Sequence, residues 1–262
     1  MITIVKAELI RLVRRRFVIF SVIGTMLFGI VAALAVFASA QTTGVASRRS
    51  GTPLAALTGH GGATEAFAVG ASFTGFLVFV TFIALIASEF SGGTFRALVM
   101  RNPHRLQVIV GKLVGILVVA AGALALAEFW TAIASIVIAP SKNIATGSWF
   151  SVSSVIDAVR DYATVFAGVI GWAIFGTMLA VIFRSAPLAL GVGFAWAGPF
   201  ENIIAKSWAT GYRIFPGQVL ASLIQGGTVE LGLSRAIFTA TCYAAMAAAI
   251  AMVLVSRRDV TS

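Results

Sequence analysis

The chain has 262 residues, of which 59% are hydrophobic and 11% are charged, and its formal net charge is +10. Soluble domains carry about 25% charged residues, so the composition excludes an ordinary soluble protein and indicates a helical membrane protein. The basic residues stand at the ends of apolar runs and not on one surface, which argues against nucleic acid as a partner. The single cysteine, Cys242, excludes an intrachain disulfide and a cysteine-rich metal site.

Residues 2–16 are predicted to form an amphipathic helix. Arginines fall on one side of this helix, and apolar residues recur on the other at three- and four-residue steps, namely Ile2, Val5, Leu9, Leu12 and Val13. A helix of this kind lies in the membrane interface with its apolar side in lipid. The alternative is a topology signal that only holds the N-terminus in the cytoplasm.

Six apolar runs follow, and each is long enough for a membrane-spanning helix of about 20 residues. They are residues 17–40, 66–87, 108–139, 162–183, 188–204 and 236–255. The predicted fold is an all-α membrane protein, with one transmembrane domain over residues 1–262. The first run ends in Ala-Ser-Ala, as signal peptides do, but its 24 residues exceed the 7–15 of a signal peptide, so we expect it to be retained.

The basic residues also predict the orientation of the chain. With both termini in the cytoplasm, 12 of the 19 Lys and Arg residues lie on the cytoplasmic side and seven lie outside. This bias follows the positive-inside rule. We therefore expect a multi-pass membrane protein whose N- and C-termini are both cytoplasmic.

Three connectors are then placed outside. Residues 41–65 and 140–161 are predicted to be loops, the second with Trp149 and Phe150 in the outer aromatic belt. The connector at residues 205–234 contains a helical pattern that starts at Pro216 and ends at two glycines. That short helix either re-enters the outer leaflet under a cover of protein or belongs to a surface loop.

The connector between the second and third runs, residues 88–105, has the most distinctive pattern. Gly92 and Gly93 allow a sharp turn, Thr94 can cap a following helix, and Pro103 ends it. Apolar residues on one side of this helix can pack on a partner, while basic residues stay available to carboxylates: Phe95, Leu98 and Val99 against Arg96 and Arg101. A basic inner loop is the alternative, but it does not account for an acidic residue, paired Gly and Thr before a helix.

This pattern resembles that of the type-two ABC exporter permeases. In that family an acidic residue at the inner end of the second span precedes Gly-Thr, a basic leucine-rich helix, a Pro with a nearby Arg, and a Lys that opens the third span. The matching residues are Glu89, Gly93, Thr94, Leu98, Pro103, Arg105 and Lys112. One departure is that a single residue, His104, separates the proline from the arginine, where members often have two.

The resemblance implies a permease subunit in the bacterial cytoplasmic membrane that exports an amphipathic or apolar solute: a drug, antibiotic, lipid or peptide. The coupling helix would transmit force through Glu89, Gly93, Thr94, Phe95, Arg96, Leu98, Arg101, Pro103, Arg105 and Lys112. The implied partners are an ABC ATP-binding subunit, membrane lipid and a second permease, which is either a copy of this chain or a related one.

The chain itself is not predicted to be an enzyme. It contains no Gly-x-x-x-x-Gly-Lys-Ser/Thr phosphate loop, so ATP and Mg²⁺ would be bound by the partner and no cofactor or metal by this chain. The alternative function is a membrane protein without a motor, either an ion-coupled transporter or a structural or immunity subunit. Midplane acids and broken spans are typical of ion coupling, and their scarcity in this sequence favours the exporter.

Polar residues within spans are further candidates, because they are costly in lipid. Glu128 is placed near the outer boundary of the third span, either as a site for a cationic group or, as we favour, as half of a structural pair. Glu201 and Asn202 end the fifth span and are interpreted in the same way, with Lys206 as a partner. Glu89 is expected to bond to the following helix start or to pair with Arg105 or Lys112.

Overall fold

A computed structural model describes residues 2–40, 52–92, 105–208 and 210–257. Their helices are α1 (Ile2–Leu12), α2 (Arg15–Ala38), α3 (Leu54–Thr58), α4 (Glu65–Ser91), α5 (Arg105–Ile138), α6 (Val152–Phe183), α7 (Ala186–Ala195), α8 (Glu201–Ser207), α9 (Gly211–Ile214), α10 (Pro216–Ile224) and α11 (Leu233–Arg257). Short 3₁₀ turns lie at His60–Ala63, Ala139–Lys142 and Gly147–Phe150. The predicted all-α architecture is confirmed, and these ranges contain no β-strand.

Six helical segments are long and apolar enough to cross a membrane, as expected. Five of them are formed by α2, α4, α5, α6 and α11, and the remaining one combines α7 and α8. In that combined span a π-helical segment, Trp196–Phe200, joins the two helices and contains Pro199. Proline has no N–H to donate, which accounts for the irregular winding at this point.

The largest difference from the predicted boundaries lies in the fourth span. α6 begins at Val152, so the second half of the predicted loop at residues 140–161 is helical. Ser151 caps this helix, since its side chain accepts a hydrogen bond from the Ser154 backbone N–H. The first turns of α6 carry charged residues, and for this reason the apolar pattern predicts a later start for the helix.

α6 packs against α4, α10 and α11. Glycines along it form notches for bulky side chains: a Cβ at Gly171 would lie 2.4 Å from Leu220 Cδ2, and one at Gly168 would lie 2.2 Å from Ile224 Cγ1. These contacts seat α10 against the middle of α6. α10 lies where the sequence pattern places a helix, and it ends before Gly226 and Gly227, which have φ of 69° and 103°.

The bundle has two ends that differ in chemistry. We call one the Glu8 end, where α1 meets the last turns of α4 and α11 and the first turns of α5. We call the other the Trp149 end, where the longer connectors pack on the far ends of α2 and α5.

Candidate functional site

Four charged side chains meet at the Glu8 end and join three helices. The Lys112 Nζ on α5 lies 2.5 Å from Glu89 Oε1 on α4 and 3.2 Å from Glu8 Oε2 on α1. The Arg11 guanidinium on α1 bonds to the same two carboxylates, at 2.5 Å to Glu8 Oε1 and 2.8 Å to Glu89 Oε1. We call this set of two acids and two cations the charged cluster.

The two acids and the lysine of the charged cluster are largely buried. Side-chain exposure is 5% for Glu8, 8% for Glu89 and 12% for Lys112, against 44% for Arg11. Paired charges removed from water attract each other more strongly than exposed ones, because the local dielectric constant is lower. The charged cluster therefore holds the three helices together more strongly than an exposed surface ion pair would.

A glycine allows α1 to approach α5 closely enough for these bonds. A Cβ at Gly115 would lie 2.9 Å from Glu8 Cβ and 3.0 Å from Glu8 Cγ. A larger residue at this position would push α1 away from α5 and separate Glu8 from Lys112.

The face of α1 that packs on the protein is only partly the predicted one. Leu9 and Leu12 are half-buried, as the apolar pattern indicates, but Ile2 and Val13 are exposed, at 85% and 55%. Glu8 lies at the centre of the packed face with 4% exposure. The periodicity of apolar residues did not predict the burial of Glu8, because a carboxylate is expected at the surface unless cations are known to lie opposite it.

Only three of the predicted coupling residues lie within the described part of the chain: Glu89, Arg105 and Lys112. Glu89 and Lys112 are brought together, as expected. Arg105 is the first residue of α5. The remaining coupling residues lie outside the described residues: Gly93, Thr94, Phe95, Arg96, Leu98, Arg101 and Pro103.

Two members of the charged cluster, Glu8 and Arg11, were not predicted as site residues. One signal could have identified Glu8, which is the only acid in a basic N-terminal helix. No signal in one sequence says that this acid faces residues 81 and 104 positions further along the chain, because such contacts depend on the packing of α1 on α4 and α5.

The three polar candidates of the outer spans have different surroundings. Glu128 Oε1 is buried and has no hydrogen-bond partner among the described residues, and its pairing stays a prediction. Glu201 is fully buried at the start of α8. Asn202 accepts a 3.2 Å hydrogen bond from Gln218 Nε2, which ties α8 to α10.

The Trp149 end is organised around a buried ring. Trp149 is 5% exposed, so the prediction that it sits in an aromatic belt against lipid was wrong. Its Nε1 donates a 2.9 Å hydrogen bond to the Leu57 carbonyl, and its ring meets Phe37 edge-on. Nearby, Thr64 Oγ1 donates a 2.7 Å hydrogen bond to Asp161 Oδ2.

The fold and the composition of its helices define a multi-pass α-helical membrane protein. A family model described as "Protein of unknown function (DUF2705)" matches residues 27–261, and the chain belongs to this family. The match includes Glu89 and Lys112 but begins after α1, which carries the other half of the charged cluster. A search of curated proteins found no match.

Proposed function

We propose that this protein is the permease subunit of an ATP-driven ABC exporter that moves an amphipathic or apolar solute out of the cell. The observation that carries the proposal is the charged cluster. It joins α4 and α5, which flank residues 93–104, to each other and to α1. A displacement of that connector by a partner would reach three helices at once.

The bonding in the cluster suits the transmission of force. Removing one partner of a buried ion pair typically costs about 3–5 kcal/mol, so the joined helix ends resist separation and move together. Lys112 contributes most to this resistance, because its one ammonium group bridges Glu8 and Glu89 while being only 12% exposed.

In this exporter, α1 would lie in the membrane interface. Its 11 residues extend about 16 Å, which is too short to cross a hydrocarbon core of about 30 Å. Packed along α5 at the Glu8 end, α1 would lie at the cytoplasmic surface, and both termini would be cytoplasmic. α10 would then be a re-entrant helix, since it packs on the middle of α6 and almost all of its residues are buried.

The motor would be a separate ABC ATP-binding subunit that binds ATP and Mg²⁺. Phe95 and Leu98 would pack into a groove on this subunit, while Arg96 and Arg101 would pair with its carboxylates. A second permease, either identical or related, would complete the membrane part of the exporter.

The test is purification of the tagged chain from its native membranes in a mild detergent. We expect stoichiometric recovery of a protein with a phosphate-loop ATPase sequence, and ATP hydrolysis by the complex. The double variant Leu98→Asp/Arg101→Glu should abolish both, because it places charge in an apolar contact and reverses a cation.

Arg257→Glu is the matched control, because Arg257 is exposed and ends α11. It should leave the complex intact. Unchanged recovery of the ATPase with the double variant would contradict the proposal. Solute export that continues after deletion of the ATPase gene would support the alternative of a transporter without a motor.

A further inference from the structure

A second region of the molecule, away from the charged cluster, combines polar and aromatic side chains inside the bundle. A cavity of 110 Å³ lies between α4, α6, α8 and α10. Its lining includes one hydroxyl and three carboxamide side chains: Ser72, Asn202, Gln218 and Gln225. None of the described residues that line the cavity is charged. We propose that this cavity binds the head of a small neutral amphiphile, namely an uncharged amide that carries one short alkyl chain.

The carboxamides are the first argument. Such groups are costly inside a membrane-spanning bundle unless they are hydrogen-bonded. Gln218 Nε2 donates a 3.2 Å hydrogen bond to Asn202 Oδ1, and Gln225 Nε2 donates one of 2.7 Å to Ser72 Oγ. The two glutamines are seven residues apart, which is about 10 Å along a helix axis. The cavity therefore has a polar contact between helices at each end.

The hydrogen bonds also determine how two of these amides are oriented. Ser72 Oγ donates its only hydrogen to the Val69 carbonyl at 2.7 Å, so it has to accept the bond from Gln225. Asn202 Nδ2 donates to the Gly198 carbonyl at 2.6 Å, which leaves Asn202 Oδ1 to accept the bond from Gln218.

These bonds leave hydrogen-bonding capacity at the cavity. A carboxamide has two hydrogens to donate and an oxygen that accepts. Among the described residues, Gln225 Oε1 has no partner, and Asn202 Nδ2 makes one bond. Both side chains line the cavity, and polar atoms form part of its wall. A ligand head that both donates and accepts, as an amide does, suits this pair of groups.

The space between the two polar contacts is bounded by a small side chain. Ala221 stands on α10 between Gln218 and Gln225, and Phe76 and Trp172 line the cavity from α4 and α6. The volume has room for three or four groups of about the size of a water molecule. An amide head with the first carbon of its chain has this size, so the rest of the chain has to lie outside the cavity.

The mouth of the cavity gives that chain a place. Phe73 and Asn202 line the cavity and are exposed on the outside of the bundle, Phe73 at 73%. In a membrane this surface would face lipid. The alkyl chain can then lie along Phe73 in the bilayer while the amide stays in the cavity.

The test compares three ligands of nearly the same shape. Hexanamide has a neutral head that donates and accepts, heptan-2-one keeps the carbonyl but has no N–H, and hexanoate is negatively charged. Isothermal titration calorimetry uses the purified full chain in nanodiscs of zwitterionic lipid, with protein-free nanodiscs titrated in parallel to subtract partitioning into lipid. Hexanamide should bind at least about fivefold more tightly than the ketone. Hexanoate should bind more weakly still, because burial of an unpaired charge is costly.

Two variants localise the site. Gln225→Met removes a hydrogen-bonding group with little change of shape and should weaken binding of hexanamide about fivefold. Ala221→Leu should abolish binding of hexanamide and of the ketone, because the larger side chain fills the cavity. The matched controls are Gln107→Met and Ala125→Leu at exposed positions of α5; both should bind as the unaltered chain does.

Equal affinities of the unaltered chain for hexanamide and the ketone would overturn the proposal. So would the absence of saturable binding, which would mean that the carboxamides only hold the helices together. Unchanged binding of hexanamide by Gln225→Met and Ala221→Leu would overturn it as well. The assay contains no nucleotide and no ATPase. Its outcome is therefore independent of the proposed exporter function, which is tested by purification of the complex.

Discussion

The two ends of the bundle are held together by different chemistry. At the Glu8 end, three helices meet through the charged cluster, with two carboxylates bonded to two cations. Around Trp149 at the other end, buried contacts combine close packing with neutral hydrogen bonds to backbone carbonyls. A charged side chain can exchange one oppositely charged partner for another. Closely packed apolar side chains, in contrast, resist displacement in every direction.

This difference suits the proposed division of labour. An end that receives force from a soluble subunit has to keep its helices aligned while they move as a group. The opposite end would have to stay closed, and the buried packing of Trp149 with Phe37 and Leu57 would suit that task. Four substitutions test this contrast.

The largest effect is expected for Lys112→Met. This change removes the ammonium group that bridges Glu8 and Glu89 and leaves two buried carboxylates next to each other. We expect the free energy of unfolding to fall by about 3 kcal/mol, measured by thermal or chemical unfolding in detergent. Lys142→Met, at an exposed site of the other end, should change stability by less than about 0.5 kcal/mol.

Gly29→Ala should disrupt packing on the Trp149 side of the bundle. Its methyl group would lie 2.7 Å from the Thr131 backbone N and 2.8 Å from the Trp130 carbonyl carbon, and backbone cannot rotate away. A loss of about 2 kcal/mol is expected. Gly24→Ala in the same helix meets no atom within 4 Å and should be neutral or stabilising; equal losses for both variants would rule out close packing as the cause.

Trp149→Phe tests the neutral hydrogen bond. Phenylalanine keeps most of the ring but leaves the buried Leu57 carbonyl without its donor, which should cost about 1.5 kcal/mol. Trp208→Phe is the control, since that ring is 48% exposed. A loss no greater than that of the control would mean that the Trp149 end depends on ring packing alone.

Arg11→Met should have the smallest effect, although Arg11 contacts the same two acids as Lys112. Its side chain is 44% exposed, so water screens its interactions, and at most about 1 kcal/mol should be lost. Added salt should narrow the difference from the unaltered chain, because exposed ion pairs are screened. If Arg11→Met were as damaging as Lys112→Met, the burial of the lysine could not be the source of the cluster's strength.

The helical architecture could be predicted from the sequence, because a chain that crosses lipid needs long apolar helices. Such helices are visible as long runs of high hydropathy. The start of α6 at Val152 could not be predicted, since Asp157, Arg160 and Asp161 in its first turns interrupt the apolar run. The burial of Trp149 was missed for a related reason, because an aromatic residue at the end of a span suits a lipid interface and a protein core equally well.

The candidate site was predictable only where its members lie close to the connector. Glu89 and Lys112 stand on either side of residues 93–104, and their pairing follows from the meeting of two antiparallel helix ends. Glu8 is separated from Lys112 by two complete spans, and its contact exists because Gly115 lets α1 approach α5. The pattern of residues in a single sequence does not show which helices approach each other this closely.

The π-helical segment at Trp196–Phe200 has a consequence for tolerance to deletion. An α-helix turns by about 100° per residue, so loss of a single residue here, with return to regular winding, would rotate Glu201–Ser207 by roughly that angle. The acid would swing from the interior toward hydrocarbon. The π-helical segment therefore determines how Glu201–Ser207 is rotated about the helix axis. Shortening it should be far more harmful than replacing any one of its side chains.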